Sequence, residues 1–168
     1  MKNLIMAVVA TIALCGAINA QAMTKEEAAV VAKVSNEYLS AVPASGYHIL
    51  AETILERIES KKNDFVIVDV RMPKADKYDK GHVPGAIYMG FREIGNPENL
   101  AKLSKDVDII VYCDTGHEQN KVLSVLRMLG YRAFDMKWGY SSWKVAGPTG
   151  ATLKAIEGSI SNNYPIQK

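Results

Sequence analysis

The chain has 168 residues, 48% of them hydrophobic and 23% charged, with a formal net charge of +2. This is the composition of an ordinary globular protein, long enough for one domain with a core that needs no staples. The charge is too small to argue for a nucleic acid or an acidic surface as partner.

Residues 1–22 read as an export signal. Lys2 supplies the positive start, Leu4 to Ile18 is an almost unbroken apolar stretch, and Ala20-Gln21-Ala22 has the small-x-small pattern of a signal-peptidase site. Cleavage there leaves Met23 first and lowers the net charge to +1, because Lys2 is the only charge removed. The expected location is the periplasm or the medium, with no membrane attachment after cleavage. The competing readings are weaker. A cut after Ala20 puts the larger Ile18 three residues before it, lipid attachment at Cys15 would follow a bulky Leu14, and the apolar run is short for an anchor. Loss of Cys15 leaves Cys113 as the one remaining cysteine. A lone thiol in an oxidising compartment is either an intermolecular partner or a reactive group.

Residues 23–46 form a helical extension. Thr24 and Glu27 make a capping box, and Ala28, Val31, Val34, Tyr38 and Leu39 give an apolar stripe expected to pack on the domain, with a partner-binding helix as the alternative. Ala41-Val42-Pro43 and Gly46 end the run. Tyr47 to Leu50 reads as a short strand, and Ala51 to Lys61 as a helix with Ile54, Leu55 and Ile58 inward. Phe65 to Val70 is continuously apolar except for Asp69, as in a strand buried on both faces. A carboxylate there needs a partner, and Arg71 is near. A polar connector, 74–80, leads to Gly81 to Met89, a turn feeding a further strand. His82 has no second metal ligand at useful spacing, which leaves a structural hydrogen bond as its role. Asn96-Pro97 opens a short helix.

Asp108 to Tyr112 is a β-branched strand that delivers Cys113 to a polar loop with Gly116. A helix follows, Glu118 to Leu129, with Val122, Val125, Leu126 and Leu129 inward and Gly130 as its stop. Arg132 to Met136 is the last strand. Trp138, Tyr140 and Trp143 come next and are expected in the core, with a pocket rim as the alternative. The compact part closes near Gly147, and 148–168 form a tail. Alternating strands and helices imply a parallel sheet with a ligand edge at the strand carboxyl ends, where Cys113 and Asp69 with Arg71 meet. A thiol at a helix mouth, circled by loop amides, is held as an anion holder is. A buried structural cysteine is the alternative.

The stretches Val68-Asp69-Val70-Arg71, Gly81 to Ala86, Ile110 to Cys113 with Gly116, Leu129-Gly130-Tyr131 and Gly139 to Trp143 together resemble a single-domain rhodanese (thiosulfate sulfurtransferase homology domain), over residues 47–147. The resemblance implies an α/β fold with five parallel strands and helices on both faces. It implies that Cys113 accepts a sulfane sulfur as a persulfide, held by the amides of Asp114, Thr115, Gly116, His117, Glu118 and Gln119, with Asp69 and Arg71 bracing the loop. Family loops that act on thiosulfate usually carry basic residues where this chain has Asp114 and Glu118. Those acids are expected to raise the thiol pKa and repel a dianion, with Lys137 or Arg71 as offsets and His117 as a proton-transfer aid. A phosphatase loop would need an arginine six residues after the cysteine, where Gln119 stands. The expected activity is an exported sulfurtransferase or sulfur carrier, serving a small sulfur donor and a thiophilic acceptor such as a protein thiol, without cofactor or metal. The alternative is a non-catalytic binding module of the same fold.

Overall fold

The computed structural model describes residues 23–144 together with positions 157, 158, 165 and 167. The expected export signal and most of the tail lie outside the described residues. Each apolar run between 48 and 136 becomes a strand: β1 (His48–Ile49), β2 (Phe65–Asp69), β3 (Ile87–Tyr88), β4 (Asp108–Tyr112) and β5 (Ala133–Met136). All neighbours pair in parallel in the order β1-β5-β4-β2-β3, the five-stranded sheet that the sequence implied. The helices are α1 (Lys25–Ser40), α2 (Ala51–Glu59), α3 (Pro97–Leu100) and α4 (His117–Met128).

The pleat divides the core in two. Val68, Ile109 and Val111 face a cluster with Val122, Leu123 and Leu126 of α4. Ile67, Ile110 and Tyr112 face Ile54 of α2, with Ile58, Tyr140 and Trp143 packed beside them. Both faces of the central strands are therefore dry, as their unbroken apolar sequence requires.

Helix starts follow their caps. Thr24 and Glu27 form the reciprocal capping box, at 2.8 and 3.2 Å, and Asn96 caps Glu98 ahead of Pro97. The inward faces are partly different from expectation. Leu123 is buried where Val125 and Leu129 were expected, and Leu129 is exposed. It sits past the last helical turn, where Gly130 at φ 82° swings the chain away. Leu55 is likewise exposed, leaving Ile54 and Ile58 as the packed face of α2. On α1, Val31 and Leu39 are exposed, and no residue is fully buried. It packs along α4, which it meets through Ser35 on Met128 and Tyr38 on Ser124. Contact along one side cannot bury a full stripe.

After β5 the chain makes a tight turn, Gly139–Ser142, that closes over the end of β4. Gly139 has φ 59°, and a Cβ there would stand 2.6 Å from the carbonyl oxygen of Cys113. Gly85 also has positive φ (77°), but open space where its Cβ would go. Replacing each with alanine separates strain from collision. Gly85→Ala is expected to cost about 1 kcal/mol, and Gly139→Ala roughly 3 kcal/mol, in chemical denaturation. Equal losses would contradict the close approach.

Candidate functional site

Cys113 follows the last residue of β4 and is 2% exposed. Its backbone is fixed from two elements, α4 and the Gly139–Ser142 turn. Its N–H donates to Gln119 Oε1 at 2.8 Å, and its carbonyl accepts from the Tyr140 N–H at 2.8 Å. The Ser141 N–H holds the next carbonyl, that of Asp114, at 3.0 Å. The loop then curls through Gly116 at φ 109°, a left-handed conformation that favours glycine, into the first turn of α4. That curl turns amides inward. Gly116 N–H donates to Cys113 Sγ at 3.1 Å, and the N–H groups of Thr115, Glu118 and Gln119 add to the same effect on the sulfur.

Burial is the largest influence on this thiol and pushes its pKa up; the four amides pull the other way and do not fully offset it. The expected increase is therefore present, with a different principal cause. The carboxylates of Asp114 and Glu118 were the reason foreseen, but the apolar surroundings dominate. Asp114 is also partly neutralised, because Lys77 Nζ lies 2.9 Å from its Oδ2. Arg71, one of the two expected offsets, also feels the Asp114 charge, which adds to the raising of its own pKa.

Beside the loop, Asp69 pairs in register with Tyr112 across β2 and β4. Its carboxylate is fully buried and fully engaged. The Arg71 guanidinium donates to it through Nε and Nη2, the latter at 2.6 Å, the Arg71 N–H adds a bond of 2.9 Å, and the Tyr112 hydroxyl donates at 2.7 Å. Burial works against the Arg71 charge, but the hydrogen bonds and charge of Asp69 outweigh it and raise the pKa. Burial first, then the Asp69 charge, holds the Tyr112 phenol protonated far above its usual range. Arg71 also donates to the Gly81 carbonyl at 2.7 Å and lies 3.9 Å from the centre of the Tyr140 ring. One clamp thus ties β2, β4, the Gly81 turn and the turn over Cys113.

The sulfur opens onto a cavity of about 450 Å³, lined also by Arg71, Phe91, Arg92, Asp114 and Glu118. On the other side of the loop lies a second cavity of about 460 Å³, where Thr115, Gly116, His117, Lys137 and Trp138 gather with His48 and Asp135. Thr115 and Gly116 thus have their backbone at the sulfur while lining the far cavity. His117 Nδ1 lies 2.9 Å from Thr115 Oγ1, and both His117 and Lys137 line this second cavity. Trp138 is 67% exposed instead of packed, turned outward by a left-handed backbone (φ 67°), whereas Tyr140 and Trp143 pack on the core. His82 Nδ1 donates to the Tyr78 carbonyl at 2.9 Å, and the ring stacks on that of Tyr78. Among the described residues, no group of three or more His, Cys, Asp or Glu is gathered to hold a metal ion.

Gln119 is the residue with the most demanding place. Its amide is fully buried, with Oε1 on the Cys113 N–H and Nε2 donating to Asp135 Oδ2 (3.0 Å) and the Met136 carbonyl (2.6 Å). Asp135, itself buried, also accepts from His48 Nδ1 at 2.5 Å. Asp135, Lys77 and Arg92 were missed by sequence reasoning. Asp135, a carboxylate between Phe134 and Met136 in the last strand, was the one detectable signal, the same kind that marked Asp69.

The raised thiol pKa has a direct consequence for reactivity. Alkylation of Cys113 by iodoacetamide is expected to keep accelerating past pH 9.0, the ordinary thiol value, since the thiolate forms later in this site. Because burial is the principal cause, Asp114→Asn should leave that midpoint above 9.0. A midpoint below 9.0 in the unmodified protein would contradict the assignment.

Comparisons with known proteins agree with this geometry. The rhodanese-like domain family matches residues 50–146. A sulfurtransferase of Allochromatium vinosum is 26% identical over 94 residues, covering 55% of this chain and 83% of that protein. A tRNA sulfurtransferase of Desulfurococcus amylolyticus is 28% identical over 89 residues, covering 53% of this chain, but the chain spans only 17% of that protein's length. Among solved structures, a rhodanese-related protein from Thermoplasma volcanium superposes with a TM-score of 0.51 at 24% identity, covering 61% of this chain and 94% of that one. With the matched family covering more than half of its length, the chain belongs to the rhodanese-like domain family.

Proposed function

We propose that the protein is an exported sulfurtransferase or sulfur carrier that holds a persulfide on Cys113. The observation that carries this reading is the ring of backbone N–H groups around a cysteine that opens onto a cavity. An uncharged buried thiol leaves such a ring with a weak acceptor. A persulfide is a stronger acid than the thiol from which it forms, and its anion is a much better acceptor for the same donors. The ring is therefore better matched to the loaded state than to the resting one.

The reaction has two displacements. Cys113 loses its proton to solvent, and its thiolate attacks the outer sulfur of a donor R–S–SH. A new S–S bond forms, the donor's S–S bond breaks, and its electron pair leaves on R–S⁻, which takes the proton. A nucleophilic acceptor then attacks the outer sulfur of the Cys113 persulfide, and the thiolate is returned. No external oxidant or reductant is needed, since each step exchanges one S–S bond for another bond to the same sulfur. Arg71 and Asp69 position the loop. The Gly116 amide, with its neighbours, holds the sulfur anion.

Export follows from the reading of residues 1–22 and Ala20-Gln21-Ala22. The intact mass of protein expressed in its own cellular setting should begin at Met23, and retention of residues 1–22 would contradict export.

The transfer itself is tested by intact mass after incubation with an organic persulfide, with polysulfide and with thiosulfate. The expected result is a gain of one sulfur atom, removed by reductant and absent in Cys113→Ala. No gain from any donor, with Cys113 still alkylatable at high pH, would leave a binding module on this fold.

A further inference from the structure

The cavity at Cys113 is lined by two cations and two anions, and they are not equivalent. Arg71 is consumed by Asp69, and Asp114 by Lys77. Arg92, which is exposed, and Glu118, which is half-buried at the first turn of α4, make no ion pair or side-chain hydrogen bond among the described residues. Lys121, one turn further along α4, sits over the Phe91 ring at 5.5 Å. What remains available to a ligand on the cavity wall is one guanidinium and one carboxylate, with the sulfur between walls that sum to no net charge. Such a field gives a dianion no advantage. It favours a ligand that carries one charge of each sign.

The geometry points to a sulfur donor with an α-amino-acid head: a low-molecular-weight persulfide whose carboxylate meets Arg92 and whose ammonium meets Glu118, while its outer sulfur reaches Cys113. Cysteine persulfide is the smallest member of the class. This inference rests on the sulfurtransferase reading and specifies its donor. Arginine suits the carboxylate because its fork can take both oxygens, and Glu118 suits the ammonium as a point acceptor. The chemistry is the balanced exchange above: Cys113–SH and R–S–SH become Cys113–S–SH and R–SH, with cysteine as the leaving thiol. The apolar part of the wall, from Val70 and Phe91, fits the short methylene arm.

Three persulfides separate the contributions, with the rate of sulfur gain on Cys113 followed by intact mass. Cysteine persulfide carries both charges, 3-mercaptopropionate persulfide the carboxylate alone, and cysteamine persulfide the ammonium alone. Cysteine persulfide is expected to load fastest. In Arg92→Ala the advantage of cysteine persulfide over cysteamine persulfide should shrink about fivefold, the scale of one partly exposed charge contact, with partial recovery in Arg92→Lys. In Glu118→Gln the advantage over 3-mercaptopropionate persulfide should shrink by a similar factor. These ratios do not move if a variant merely weakens the fold, because both donors share one enzyme. Equal loading by all three donors, or ratios unchanged in both variants, would overturn the donor assignment while leaving persulfide transfer intact. Absence of any adduct would overturn both.

Discussion

The buried amide of Gln119 is the constraint on which the rest of the site depends. Its side chain touches the backbone of Cys113, the backbone of β5 and the buried carboxylate of Asp135 at once. Each of those groups is shielded from water, so loss of the amide would leave the Cys113 N–H without an acceptor, at a cost of about 1–3 kcal/mol. The direction of the loop amides follows from it. Cys113 is held by Gln119 on one side and Tyr140 on the other, and the loop that follows it curls with its N–H groups toward the sulfur. An arginine at 119, as a phosphate-cleaving loop would need, has no acceptor to offer the Cys113 N–H.

The second constraint is charge. Asp69 and Arg71 form a pair that is worth little as a stabilising device if burial is counted fully, but expensive to break. Its geometry explains its presence better than its energy does. The guanidinium joins Asp69 to the Gly81 carbonyl and the Tyr140 ring, so two turns at the strand ends are held against one buried strand. The same pairing removes Arg71 as a free cation, as Lys77 neutralises Asp114, which leaves Arg92 and Glu118 as the opposed charges of the cavity wall.

Much of this was legible from residue order. A carboxylate in a continuous apolar strand announced the Asp69 clamp, and a β-branched strand ending in a cysteine, a glycine loop and a helix announced the loop whose amides turn toward the sulfur. Helix phases were less legible. Periodicity gives a stripe but not where the chain leaves the last turn, so Leu129 was misplaced and Leu123 overlooked. Trp138 resembles a core residue by composition, yet its left-handed backbone turns it to solvent, and no local pattern encodes that. Lys77 and Arg92 lie in polar connectors that carry no periodicity, and only the fold brings them to Asp114 and to the cavity.

The central claim is that the loop amides are built to hold sulfur bound to Cys113. A crystal structure of the protein after reaction with a persulfide donor tests it most directly. The account predicts an added sulfur on Cys113, within hydrogen-bond reach of the inward N–H groups of the loop between Thr115 and Gln119. An added sulfur projecting away from those amides, or a loop that opens to expel it, would contradict the account.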